Sequence, residues 1–202
     1  PKHVLFSRVP VVFEPGWDIY AKAYYTAKIL GLSRPMSAAL FDAIQNQLGT
    51  VPNFLRVFAN SPEALQAFLG LYHIANSGSL DLATRERIAL TLAQQNECEY
   101  CLSAHTTIGR QAGLNTEEIE SNRAGNSQDA KAFVALKFSR ALVEHMGQVT
   151  TAEINEMRDV GYNDGEIVEV ITHVGMNILT NLIGKTSRVE IDFPKVELQT
   201  AA

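Results

Sequence analysis

The two cysteines of this 202-residue chain are the side chains best suited to redox chemistry, and both lie in one C-x-x-C motif, Cys98 and Cys101. A static bridge between them would constrain the unfolded chain little, because the loop that it closes is very short. In a reducing compartment, redox chemistry or metal binding are therefore the informative interpretations of the pair. The plain alternative is two small, buried, unreactive side chains.

The residues around the motif favour a reactive thiol. Asn96, with Glu99 three residues later, resembles a capping box and predicts a helix that begins at Glu97. Cys98 and Cys101 would then lie in the first turns of that helix. The unpaired N–H groups and the helix dipole at this end stabilise a thiolate, whereas an ordinary thiol titrates near pH ~8.5.

A histidine and a glutamate at suitable distances could supply a proton relay. Cys98, Cys101 and His105 occupy positions i, i+3 and i+7, so they share one helix face, and the imidazole can accept the proton of the Cys101 thiol. Glu86 lies ten residues before Asn96, and His105 lies nine residues after it. At about 1.5 Å per residue each is about 14–15 Å from that break, so the two residues come level if the helices fold back as a hairpin. A carboxylate beside the imidazole would orient it and increase its basicity.

Two alternatives remain open for these side chains. Arg85 and Arg87 flank Glu86, which is a common pattern on solvated helix faces, and His105 could be an ordinary helix histidine. The two cysteines and His105, with Glu86 as a fourth ligand, could also bind zinc. Structural zinc sites usually draw on two separated ligand pairs, whereas three of these ligands crowd one helix, so we predict no metal.

Composition and charge exclude several classes of protein. The chain is 46% hydrophobic and 19% charged, which excludes a disordered or collagen-like chain. Its formal net charge is −5, so we expect neither nucleic acid nor an anionic membrane surface as a partner. There is no run of about 18 apolar residues and no targeting segment at the start, so the expected location is cytoplasmic.

Helical periodicity predicts an all-α, multi-helix bundle that forms a single domain over residues 1–202. The predicted helices cover residues 17–30, 36–44, 61–76, 83–95, 97–112, 129–146, 151–160 and 163–184, and an extended tail follows over 187–194. On the last helix we expect Asn177 and Asn181, beside His173, to make polar contacts between helices rather than to line a pocket.

The motif resembles the AhpD alkylhydroperoxidase branch of the carboxymuconolactone decarboxylase family. That pattern, E-x11-C-x-[Y/H]-C-x3-H, is present here as Glu86, Cys98, Tyr100, Cys101 and His105. The resemblance covers about residues 35–195 and leaves 1–34 as an N-terminal extension, which suggests the peroxidase-related subgroup of this AhpD-like family. Tyr100 fills a position that is His in some members, and we expect it to pack rather than to transfer protons.

The resemblance implies a thiol-dependent peroxidase, an enzyme that reduces hydroperoxides. Cys101 would attack the peroxide and become a sulfenic acid, Cys98 would condense with it to a disulfide, and Glu86 and His105 would relay protons. It further implies no metal, haem or flavin cofactor and a homo-oligomer, either a trimer or a hexamer. The electrons would come from a dithiol or thioredoxin-like reductant. In one branch of the family this reductant also reduces a peroxiredoxin.

Two other functions remain as alternatives. The chain could be a thiol-disulfide oxidoreductase or redox sensor without physiological peroxide turnover. It could also be a carboxymuconolactone decarboxylase-like enzyme, although the resemblance argues against this because the true decarboxylase branch lacks the cysteine pair.

Overall fold

The computed structural model describes Phe41 and residues 51–199. Over these residues every regular element is a helix, which confirms the all-α prediction. The chain divides into two compact units, Pro1–Leu65 and Gln66–Ala202. The helices predicted over 17–30 and 36–44 lie outside the described residues, apart from Phe41, which is helical. The assignment of residues 1–202 to a single domain stays a prediction.

The described helices follow the sequence prediction closely, with two short additions. We label them α1 Asn53–Phe58, α2 Pro62–Asn76, α3 Leu82–Gln95, α4 Glu99–Gln111, α5 Thr116–Arg123, α6 Ala130–Glu144, α7 Thr151–Asp159 and α8 Asp164–Ser187. Helices α1 and α5 were not predicted. They have six and eight residues, which is too short for an apolar periodicity to stand out.

Within the first unit, α1 buries Leu55 and Phe58. The rings of Phe54 and Phe58 meet edge to face with centroids 5.0 Å apart. Ser61 begins α2 as predicted, because its Oγ accepts the backbone N–H of Ala64 at 3.2 Å.

Helix α3 is the central element of the second unit. It packs against α4, α5, α6 and α8, so Ile88, Leu90 and Leu92 have no exposed surface. The main apolar cluster is built from α3, α6, α7, α8 and the residues just before α3 and α8, and its members are Leu80, Ile88, Leu92, Val134, Ala135, Leu136, Phe138, Leu142, Met157, Tyr162, Ile167, Val170 and Val174. Because α3 is enclosed in this way, any polar side chain on it must find a partner inside the protein.

A buried carboxylate fixes α5 and the loop after it against α3. Glu118 on α5 accepts hydrogen bonds from Arg87 Nε at 2.8 Å, Gln128 N at 2.9 Å and Asn122 Nδ2 at 3.0 Å, and also from Ser127 Oγ. Burial raises the pKa of the Glu118 carboxyl, but these hydrogen bonds together lower it to about 2. The carboxylate is therefore ionised at neutral pH and joins three parts of the chain.

Helix α8 carries an inward polar row within an otherwise apolar sequence. Within the part of the chain that the structure describes, it is the one helix long and apolar enough to cross a membrane by length and composition alone. However, its buried face contains His173, Asn177 and Asn181, which are 2–3% exposed. Such a face is typical of a core helix, because these polar groups find hydrogen-bond partners inside the protein.

After α8, residues 189–199 run without helical structure across α4 and the ends of α3 and α5, and we call them the C-terminal strap. Val196 N donates to Ser103 Oγ on α4 at 3.0 Å, and Arg123 Nη2 on α5 donates to the Glu197 carbonyl at 2.7 Å. The extended tail predicted from the sequence is thus anchored beside the helix that carries the cysteines.

Candidate functional site

A tight turn joins α3 to α4 and creates the hairpin. Cys98 N donates to the Ala93 carbonyl at 2.8 Å, and Glu97 N donates to the Gln94 carbonyl at 3.1 Å. These two bonds form a Schellman motif, and Glu97 takes the left-handed position with φ 54°. Glycine is the usual residue there, so the turn holds a conformation that is unfavourable for glutamate.

The predicted helix start at Glu97 was wrong, and Asn96 does not cap α4. The left-handed backbone at Glu97 belongs to the end of α3, so the next helical residue is Glu99. Asn96 instead ties the turn to α8. Its Nδ2 donates to Asn181 Oδ1 at 2.8 Å, and its carbonyl accepts from Lys185 Nζ at 2.8 Å.

The two cysteines lie at the N-terminus of α4, joined by a disulfide. Cys98 is itself the N-cap, because its Sγ accepts the backbone N–H of Cys101 at 3.3 Å. This corrects the expectation that both would lie inside the first turns. Cys98 is 1% and Cys101 4% exposed, so the sulfur atoms are enclosed. The electrostatic benefit of the helix end therefore falls mainly on the Cys98 sulfur.

Helix α8 forms the wall behind the disulfide. A Cβ built at Gly184 would lie 2.9 Å from Cys98 Sγ and 3.4 Å from Cys101 Sγ, so this position has room for glycine alone. Cys101 Sγ also lies 3.8 Å from the Thr180 carbonyl oxygen. Sequence reasoning missed both α8 residues, and the available signal was a glycine within an apolar helical pattern.

The predicted pairing of Glu86 with His105 is present. His105 Nδ1 lies 2.8 Å from Glu86 Oε2, which confirms the hairpin length argument. Glu86 is only 7% exposed, so it is not a solvated surface carboxylate. The flanking arginines bind elsewhere, since Arg85 Nη1 donates to the Asn76 carbonyl and Arg87 to Glu118.

This pairing decides which histidine nitrogen can exchange a proton with other groups. Glu86 occupies Nδ1 of His105 and fixes the ring, which leaves Nε2 for proton transfer. His105 lies one turn after Cys101 on α4, and its side chain is 21% exposed. The hairpin therefore places a carboxylate, an imidazole and a cysteine pair in sequence from the buried interior of α3 to the N-terminus of α4.

Tyr100 packs as predicted. It is 6% exposed, its hydroxyl donates to Asp192 Oδ1 at 2.8 Å, and its ring meets the edge of Phe193 with centroids 5.8 Å apart. Both partners belong to the C-terminal strap. The residue between the cysteines therefore connects the site to the strap.

Of the two α8 asparagines expected to make contacts between helices, Asn181 does so and Asn177 does not. Asn181 binds Asn96 in the turn, and His173 Nε2 donates to the Ala75 carbonyl at 3.0 Å. Burial lowers the pKa of His173, so it is neutral at pH 7. Asn177 differs from the prediction, because its Nδ2 donates to the His173 carbonyl of its own helix.

Across Phe41 and residues 51–199, no group of three or more His, Cys, Asp and Glu side chains is placed to hold a metal ion.

The chain is similar to known proteins in both sequence and fold. Residues 62–142 match the carboxymuconolactone decarboxylase family. An uncharacterized peroxidase-related protein from Silicibacter sp. has 28% sequence identity and a TM-score of 0.68, over 75% of this chain and 82% of that one. An uncharacterized peroxidase-related protein with an alkylhydroperoxidase AhpD core, from Ralstonia eutropha, has 19% identity and a TM-score of 0.68, over 76% and 83% of the two chains.

The same fold also occurs in a debrominase, whose name denotes a different reaction. The debrominase Bmp8 has 18% identity to this chain and a TM-score of 0.65, over 78% of this chain and 87% of that one. At this identity the likeness concerns the fold alone. The family match over residues 62–142 and the two peroxidase-related structures support assignment of the chain to the carboxymuconolactone decarboxylase family, and the described helices have the fold of these AhpD-like structures.

Proposed function

We propose that the protein is a thiol-dependent peroxidase that reduces hydroperoxides through Cys98 and Cys101. The observation that carries the proposal is the 2.8 Å contact between Glu86 and His105, one helical turn from a cysteine pair joined in a disulfide. A buried carboxylate that holds an imidazole beside a thiol is the arrangement that activates a nucleophile.

The oxidative half of the cycle consumes one peroxide. His105, held by Glu86, accepts the proton of the Cys101 thiol. The thiolate attacks the terminal peroxide oxygen and the O–O bond breaks, so the alcohol leaves with a proton from the relay and Cys101 becomes a sulfenic acid. The Cys98 thiol then displaces water from that sulfur and forms the disulfide. One hydroperoxide and two thiols thus give an alcohol, water and a disulfide.

The reductive half needs an external dithiol of the thioredoxin type. An incoming thiolate attacks one sulfur and the other leaves as a thiolate, and stabilising the leaving thiolate accelerates the exchange. Cys98 Sγ accepts the N–H of Cys101 at the helix N-terminus, so Cys98 is the better leaving group. Attack at Cys101 followed by release of Cys98 is therefore the favoured direction. The family resemblance adds two points to this proposal. The protein assembles as a trimer or hexamer, and the same reductant also reduces a peroxiredoxin.

Peroxide consumption with a dithiol reductant tests the proposal. We expect Cys101→Ser to abolish turnover, and Cys98→Ser to consume about one peroxide per chain and then stop, because the sulfenic acid lacks its resolving thiol. Glu99→Gln, a surface change on the same helix, serves as the control and should leave turnover unchanged. If both cysteine variants consume peroxide like the wild type, the proposal fails.

A thiol-disulfide oxidoreductase or redox sensor is the second candidate. It is favoured by the same N-cap at Cys98, because an easily released thiolate suits disulfide exchange as well as peroxide reduction. The fold itself does not select the reaction, since it also occurs in a debrominase. Reduction of a disulfide substrate by the wild type without peroxide turnover would assign the second function.

A further inference from the structure

Asn181 on α8 has a buried amide N–H that finds no hydrogen-bond partner among the residues that the structure describes. The side chain is 2% exposed, and its Oδ1 accepts a hydrogen bond from Asn96 Nδ2 at 2.8 Å. Its own Nδ2 is buried and donates to no atom of these residues, and α8 has no other such atom. A buried donor without an acceptor is unfavourable, so this one needs an explanation.

The Asn181 amide lies beside the wall that α8 forms behind the disulfide. Gly184, three residues later on the same inward face, lies against Cys98 Sγ. Side chains three residues apart on a helix have Cβ atoms about 5–6 Å from each other, so the amide lies within one helical turn of that contact. Asn96, which binds the amide oxygen, precedes Cys98 by two residues. The amide is therefore placed between the turn that carries Cys98 and the helix behind it.

Helix α8 gives the two sulfur atoms different surroundings. Thr180 places its carbonyl oxygen 3.8 Å from Cys101 Sγ, and a carbonyl oxygen can accept from a thiol but disfavours a thiolate. An amide N–H has the opposite preference, because its hydrogen bond is stronger when the acceptor is ionised. The sulfur of a disulfide is uncharged and a weak acceptor. The Asn181 N–H can therefore gain a strong acceptor in this region only when the disulfide is reduced.

We propose that Asn181 Nδ2 donates a hydrogen bond to the Cys98 thiolate of the reduced protein and thereby sets the reduction potential of the cysteine pair. The inference deepens the proposed function and rests on it for the release of Cys98 as the leaving group. An external thiolate attacks Cys101 Sγ, the S–S bond breaks, and its electron pair stays on Cys98 Sγ. The backbone N–H of Cys101 and the side-chain N–H of Asn181 then both donate to this sulfur.

The remaining step completes the electron balance. The second thiol of the external dithiol loses its proton to solvent and displaces Cys101, which takes up a proton. The external dithiol is thus oxidised to a disulfide, and the protein gains two electrons. Of the two protons that the dithiol gives up, one is balanced by the proton on Cys101 and the other stays in solvent, because Cys98 remains a thiolate.

The hydrogen bond should make the cysteine pair a stronger oxidant. It stabilises the reduced form alone, and stabilising the reduced form raises the reduction potential. It should also lower the pKa of the Cys98 thiol, because a hydrogen bond to the charged form favours that form. Both quantities are properties of the cysteine pair and can be measured without any peroxide.

Asn181→Leu tests the inference, because leucine has the same branching as asparagine but neither a donor nor an acceptor. Equilibration with mixtures of reduced and oxidised glutathione measures the potential. We expect the equilibrium constant for reduction to fall about tenfold, which corresponds to a potential about 30 mV more negative. Asn177→Leu is the matched control, because Asn177 is 3% exposed on the same face and its N–H is already bonded to the His173 carbonyl. An unchanged constant in Asn181→Leu, or an equal shift in Asn177→Leu, overturns the proposal.

Asn96→Ala separates the donor from the contact between helices. This variant loses the same hydrogen bond between Asn96 and Asn181 but keeps the Asn181 N–H. We expect its equilibrium constant to stay within about threefold of the wild type, and a tenfold fall would assign the effect to the contact instead. In the Cys101→Ser background, where Cys98 is the one remaining thiol, Asn181→Leu should raise the pH midpoint of alkylation by about one unit. Asn177→Leu should leave that midpoint in place.

A crystal structure of the reduced wild-type protein tests the hydrogen bond without any substitution. We expect Asn181 Nδ2 to lie about as close to Cys98 Sγ as Cys101 N does in the oxidised form, at 3.3 Å. An Nδ2 that binds a water molecule in both redox states overturns the proposal. Peroxide turnover with none of these shifts refutes this inference alone, whereas the shifts without peroxide turnover refute the peroxidase alone.

Discussion

Gly184 on α8 lies against the sulfur of Cys98 so closely that no side chain fits between them. A Cβ at position 184 would be 2.9 Å from Cys98 Sγ and 3.4 Å from Cys101 Sγ. Real carbon and sulfur atoms do not approach to 2.9 Å without bonding, so either the disulfide or α8 would have to move. Only glycine at position 184 leaves room for the disulfide, so we expect its replacement to lower the stability of the oxidised protein.

Gly184→Ala should lower the stability of the oxidised protein. Overpacking a tight site costs about 1–3 kcal/mol, and the better helix propensity of alanine returns about 1 kcal/mol, so we expect a net loss of up to about 2 kcal/mol. Urea unfolding of the oxidised protein measures the effect. Gly70→Ala is the matched control, because Gly70 also lies within a helix and a Cβ there meets nothing within 4 Å. This control should gain up to about 1 kcal/mol, and equal gains in both variants would contradict the account.

Glu86→Gln should shift the pH dependence of Cys101 alkylation. In the Cys98→Ser background Cys101 is the one remaining thiol, and under the proposed relay the imidazolium of His105 would stabilise its thiolate. A neutral amide at position 86 stabilises that imidazolium less than a carboxylate does, so we expect the alkylation midpoint to rise by about one pH unit. Iodoacetamide rates measured from pH 5 to 10 give the midpoint.

Glu99→Gln separates this relay from a general change of surface charge. Glu99 is on the same helix and lies 3.8 Å from Lys195, but it is not in contact with His105. We expect its midpoint to stay within about 0.3 pH units of the parent, since a partly exposed charge is screened. If Glu86→Gln leaves the midpoint unchanged, Glu86 has no part in activating the thiol.

The pairing of Glu86 with His105 could be predicted from the sequence because it depends on helix geometry alone. The rise per residue is the same in every α-helix, so two arms of equal length bring their ends level once the chain reverses. The position of the chain reversal between α3 and α4 differs from the prediction at Glu97. A glycine usually marks a left-handed turn, whereas here Glu97 takes that position, and Asn96 looks like the cap of the following helix.

The wall behind the cysteines could not be predicted in the same way. Gly184 and Thr180 follow the motif by about eighty residues, and nothing between them fixes how α8 packs against α4. That contact depends on the whole core of the second unit. The same holds for Asp192, which reaches Tyr100 only because the C-terminal strap crosses α4. Local periodicity gives the helices, but the partners across a fold come from tertiary packing.

Tyr100→Phe should loosen the C-terminal strap without stopping turnover. The change removes the hydroxyl that donates to Asp192 but keeps the ring against Phe193. Loss of one such hydrogen bond costs about 1 kcal/mol, so we expect trypsin to cleave after Lys195 about five times faster, as followed by mass spectrometry. Peroxide turnover should stay within about twofold. Tyr72→Phe on α2 is the control, and a more than tenfold loss of turnover in Tyr100→Phe would instead assign Tyr100 to proton transfer.

The acid sensitivity of the fold should depend on Glu118. Its pKa of about 2 in the folded protein lies below the ordinary value of 4.5, so it contributes stability above about pH 5 and loses it as the pH falls from about 5 to about 2. We expect Glu118→Gln to reduce the free energy of unfolding by about 2–3 kcal/mol at pH 7, with the difference from wild type shrinking toward pH 3. Urea titrations at pH 7, 5, 4 and 3 measure it, with the exposed neighbour Glu117→Gln as the control. A constant difference across this range would mean that the charge of Glu118 is not what holds α5 to α3.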